Sequence, residues 1–69
     1  MKAREVNRKI ERLGGVAIRQ VGSHRRYVVE VGGQKAFTTV PQHTGDIPAG
    51  TLRAIERDLE GVLGEGWLR

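Results

Sequence analysis

Ala3, Val6, Ile10 and Leu13 fall at i, i+3, i+7 and i+10, which predicts an amphipathic helix with one apolar stripe. Arg4, Arg8 and Arg12 recur every fourth residue on another face of it. Gly14-Gly15 closes the helix, as glycine tolerates the backbone turn at a helix C-terminus. The period then shifts to two. Val16–Gln20, Arg25–Val31 and Lys35–Val40 are short runs rich in strand formers. Gly32-Gly33 predicts a tight hairpin turn, and Val21-Gly22-Ser23-His24 a second turn. Pro41 ends the third strand because it has no N–H for a ladder. A polar loop runs to Asp46, and Pro48 suits a first helical turn. Leu52, Ile55, Leu59 and Val62 repeat the helical spacing. Gly61, Gly64 and Gly66 weaken the end of that helix, and Trp67-Leu68 is expected to fold back as an apolar lid.

The order is αβββα. A three-stranded antiparallel meander with one apolar face needs cover, and two helices with one apolar stripe each supply it. The expected fold is a two-layer α+β domain with both helices on one sheet face, spanning residues 1–69 as a single unit. Ile10, Ile18, Val29, Phe37, Ile55 and Leu59 are the predicted core, with Tyr27, Val29 and Phe37 as its sheet stripe rather than a base-stacking platform.

With 69 residues, the chain is too short for a dinucleotide-binding unit plus a substrate domain, or for a large cofactor pocket. It has no cysteine, which excludes disulfides, thiolate metal sites and cysteine nucleophiles and suits a reducing cytoplasm. No long apolar run predicts a membrane span or signal peptide. Residues 1–35 hold nine basic side chains against three acidic ones, residues 36–69 three against five, and the net charge is +4. Such a basic half favours a polyanionic partner, most simply nucleic acid, although a merely solubilising surface has the same composition.

The meander brings particular residues together. The turn after the first strand lies at the same end as the close of the third, so Gly22-Ser23-His24 and Pro41-Gln42-His43 converge. The second helix begins there and the first must start nearby, which adds free N–H groups and Lys2 and Arg4 to that rim. Imidazole titrates close to neutral pH, so His24 is a candidate general base or acid. A base beside a ribose 2′-OH allows that oxygen to attack the adjacent phosphorus. Lys2, Arg25 or Arg26 would offset the charge developing on phosphate. Gly22 would let the backbone approach closely, and Ser23 would bind phosphate or orient the ring. His43 is a second candidate acid or base, or a brace for its loop. The row Arg4, Arg8, Arg12 would track a phosphate backbone. His24, His43 and Asp46 make a poor metal set without an H-E-x-x-H pairing, so neither metal nor cofactor is expected.

Three runs carry a wider resemblance. Arg19-Gln20-Val21-Gly22-Ser23-His24 resembles the R-Q-x-G-S-H turn of the HicA family of mRNA interferase toxins. Thr39-Val40-Pro41-Gln42-His43 and Gly50-Thr51-Leu52-Arg53-Ala54-Ile55 resemble that family's T-V-P-x-H and G-T-L-x-x-I segments. The resemblance implies a double-stranded-RNA-binding-domain-like fold and a metal-independent endoribonuclease using His24. It also implies an mRNA substrate and a HicB-type antitoxin that covers the active site. The chain departs from the family in having Val16 where an aromatic often follows the helix-ending glycine, and in its longer acidic tail with Trp67. Two other functions fit the same residues: a non-catalytic RNA-binding module, and a degenerate toxin kept as an interaction partner. A binder needs cations and a helix terminus at the rim but no imidazole, so His24 separates the readings.

Overall fold

A computed structural model describes residues 1–69. The elements run α1 (Ala3–Arg12), β1 (Val16–Val21), β2 (His24–Val31), β3 (Gln34–Pro41) and α2 (Ala49–Leu63). The strands form one antiparallel sheet in the order β1-β2-β3, so the α+β arrangement expected from periodicity is the one observed. In α1, the Glu5 carboxylate accepts the Lys2 backbone N–H at 2.8 Å, satisfying an N-terminal donor, while Lys9 and Arg12 sit in the last turn where cations are favoured. Gly15 follows, its N–H donating to the Ile10 carbonyl at 2.8 Å.

α2 packs over β3 and β2, and α1 packs over β3. The core between the layers consists of Ala3, Val6 and Ile10 from α1, Tyr27, Val29 and Val40 from the sheet, and Ile47, Ile55, Leu59 and Leu68. Trp67 Nε1 donates to the Glu56 carbonyl at 2.7 Å, and Leu68 is buried, so the C-terminal residues fold back as expected. Thr38 is buried below the helices, its hydroxyl donating to Asp58 Oδ2 at 2.9 Å.

Two expected core residues are not in the core. Ile18 is 52% exposed and Phe37 43%. The register explains both. Phe37 pairs with Val28, and Tyr27 pairs with Thr38. Cross-strand partners share a face, so Phe37 stands on the face away from the helices. Ile18 falls at a bulge between Ala17 and Arg19, in a strand exposed along its whole length because the helices do not extend over it.

Candidate functional site

His24 opens β2 immediately after a turn shorter than expected. Val21 pairs directly with His24, leaving only Gly22-Ser23 to reverse the chain. Gly22 has φ +58°, a left-handed conformation that glycine adopts without steric penalty. On its other side His24 pairs with Pro41 at the end of β3. The backbone N–H of Gln42 then donates to the Ser23 carbonyl at 2.6 Å, tying the turn to the loop that carries His43. The convergence expected from topology is therefore held by a direct bond.

His24 and His43 line one cleft of about 410 Å³, together with Thr39, Pro41, Pro48 and Thr51. Pro48 and Thr51 belong to the start of α2. That helix terminus has no side-chain cap and no acidic residue in its first turn, so its backbone N–H groups and positive dipole end remain available to an anion. A second cleft, of about 420 Å³, is lined by Lys2, Ala3, Arg4, Gln42, His43 and Thr44. His43 borders both, so it stands between the cations at the start of α1 and the His24 cleft. The α1 terminus is tied to this rim. Lys2 forms a β-bridge with Asp46, the Ile47 N–H donates to the Met1 carbonyl at 2.8 Å, and the terminal amine lies 3.6 Å from Asp46 Oδ1. Lys2 Nζ donates to the Thr44 carbonyl at 3.4 Å.

The remaining candidate cations are distributed unequally. Arg8 and Arg12 follow Arg4 up the exposed side of α1, one and two turns from the cleft that Arg4 lines. Arg25 is on the helix side of the sheet, its Nε donating to Gln20 Oε1 at 2.8 Å. Arg26 is on the other side, its Nη1 donating to Thr39 Oγ1 at 3.0 Å, with its guanidinium 5.4 Å from the Phe37 ring centre. Through Thr39 it touches the wall of the His24 cleft.

Sequence reasoning gave no role to Asn7, Gln42, Thr39 or Thr51. Asn7 is buried in α1, and its Nδ2 donates to Gln42 Oε1 at 2.8 Å while Gln42 Nε2 returns a bond to Asn7 Oδ1 at 3.1 Å. Gln42 Nε2 also reaches the Val40 carbonyl at 3.1 Å. One signal was available: Asn7 lies one turn from Ala3 and from Ile10, a polar residue inside the apolar stripe.

The two-layer αβββα fold and its basic, two-histidine groove define a small α+β protein with a rim suited to phosphate. A family model described as the HicA toxin of bacterial toxin-antitoxin systems matches residues 3–60, and the chain belongs to that family. It is a toxin of a toxin–antitoxin system, with a cognate antitoxin as its partner. No curated protein and no solved structure matches the chain. No helix is long and apolar enough to cross a membrane.

Proposed function

We propose that the toxin is a metal-independent endoribonuclease acting on mRNA, with His24 as general base. The observation that carries this reading is the single cleft shared by His24, His43 and the uncapped start of α2, with His43 also bordering the cleft of Lys2 and Arg4. The substrate phosphodiester sits against the α2 N–H groups, and flanking phosphates follow Lys2 and Arg4. His24 takes the proton of the ribose 2′-OH. The 2′ oxygen forms a bond to phosphorus as the P–O5′ bond breaks, leaving a 2′,3′-cyclic phosphate. His43 donates the proton that the departing 5′ oxygen requires, and the α2 terminus and nearby cations stabilise charge on the non-bridging oxygens. The antitoxin silences the toxin by covering this groove, and the pair works in the cytoplasm, where mRNA is found.

The test is incubation of purified protein with RNA, and with DNA of the same sequence, in EDTA. Wild type is expected to cleave RNA and spare DNA, which has no 2′-OH. His24→Ala should lose activity by roughly 10²-fold or more, the usual contribution of general acid–base catalysis, while keeping its fold and RNA affinity. Equal RNA binding by both proteins with cleavage by neither would support the non-catalytic binding module instead.

A further inference from the structure

The sheet has a face that no helix covers, and the strand register arranges it in three rows. Val16, Val28 and Phe37 are cross-strand partners in the first row. Arg19, Arg26 and Thr39 form the second, and Val21, His24 and Pro41 the third. Val16 is 58% exposed and Val21 67%, and Ile18 at the bulge adds a further exposed apolar side chain beside Arg19. A small domain seldom leaves so many apolar side chains together in water without a partner. The second row is unusual in another way. Arg19 and Arg26 face each other directly, and like charges in that position repel. Neither forms an ion pair: the chain's two salt bridges are Met1–Asp46 and Arg69–Glu56. Glu30, the acid on this face, is opposite Lys35, so the arginine pair has no carboxylate of its own.

We propose that this open face is the docking surface of the antitoxin, which places apolar side chains on Val16, Ile18 and Phe37 and a carboxylate between Arg19 and Arg26. The inference deepens the reading of the His24 groove, because the third row contains His24 and Thr39 of the second row lines its cleft. A polypeptide seated on the first two rows therefore reaches the catalytic imidazole without needing the α1 cations. Charge complementarity favours this occupant. A second copy of the chain would bring arginine pair against arginine pair. RNA would gain nothing from the apolar row, and the Phe37 ring already carries the Arg26 guanidinium, which blocks base stacking there.

The probe is the purified antitoxin whose co-expression relieves growth arrest by the wild-type chain. Its affinity is measured for wild type, Val16→Glu, Ile18→Glu and Ile18→Lys, with circular dichroism to verify the fold of each. Each glutamate variant should lose roughly tenfold or more, as when a central interface anchor is removed, and Ile18→Lys should lose affinity through the apolar contact alone. RNA cleavage without antitoxin should stay within about twofold of wild type, since these β1 side chains lie outside the His24 cleft. Undiminished antitoxin affinity in folded glutamate variants would overturn the proposal, as would no antitoxin binding by wild type. A parallel loss of RNA affinity would assign the face to RNA, and a wild-type dimer dissociated by Ile18→Glu would assign it to a second copy. If wild type binds antitoxin but never cleaves RNA, the nuclease reading fails while the binding comparison still decides this one.

Discussion

Gln42 connects three parts of the molecule. Its side chain pairs with Asn7 of α1 and reaches the Val40 carbonyl, and its backbone N–H holds Ser23. Replacing it with alanine leaves the buried Asn7 amide without partners, which costs about 1–3 kcal/mol. Thermal unfolding of Gln42→Ala should show that loss. RNA cleavage should fall through kcat, because the side-chain bonds that hold the His43 loop against α1 are lost, while the backbone bond to Ser23 is kept and Lys2 and Arg4 still bind. A change confined to KM would contradict this role. Tyr27 gives a pH-dependent prediction. Burial pushes its phenol pKa up, and the hydrogen bond to Glu11 at 2.6 Å adds to the shift, while Arg25 opposes it. The folded chain thus holds the phenolic proton more tightly than the unfolded chain does. That stabilisation is complete below the unfolded value of 10.0 and is lost as pH rises through the higher folded value. Urea unfolding should find wild type more stable than Tyr27→Phe at neutral pH, by about 1 kcal/mol, with the gap narrowing in the alkaline range. A gap that stayed constant to high pH would refute the assignment.

The joint between α1 and β1 depends on Gly15. A Cβ there would lie 2.2 Å from Ile10 Cγ2 and 2.9 Å from the Ile10 carbonyl oxygen, and Ile10 is fully buried. Gly15→Ala should therefore destabilise the protein by about 1–3 kcal/mol, as overpacking does, visible as a lower Tm. The C-terminal segment beyond α2 lies outside the family match, which ends at residue 60, yet it contributes Leu68 to the core. Leu68→Ala should cost about 2 kcal/mol and lower Tm by on the order of 10 °C in a domain this small. RNA cleavage by the remaining folded protein should be little changed, since Leu68 lies in a different cleft, with Met1 and Leu52. An unaltered Tm would mean that the segment does not dock.

Positive charge falls on two separate surfaces of the molecule. Lys2 and Arg4 border the groove, Arg8 extends the row along α1, and Arg19 and Arg26 stand on the open sheet face. Replacing Lys2, Arg4 and Arg8 together should weaken RNA binding and flatten its dependence on salt, because each lost phosphate contact removes a released counterion. An unchanged salt slope in filter binding would show that the row is only solvated. Antitoxin affinity should respond mainly to β1 and much less to this triple change.

Periodicity alone determined the elements, their order and the convergence of two turns, because helix stripes, strand runs and glycine or proline breaks are local properties of the chain. Even the apolar parity of β2 was legible, with Tyr27 and Val29 facing inward as a pair. Phe37 and Ile18 were not, and for a physical reason. A period of two states which residues share a face, but pairing register decides how those faces match across strands, and helix placement decides which face is covered. The Val28–Phe37 pairing and the bulge at Ile18 depend on contacts between strands. His24 and His43 were visible as candidates because each sits in a short motif. The Asn7–Gln42 pair, 35 residues apart, exists only once α1 packs beside the end of β3, so tertiary structure alone decided how the groove is held together.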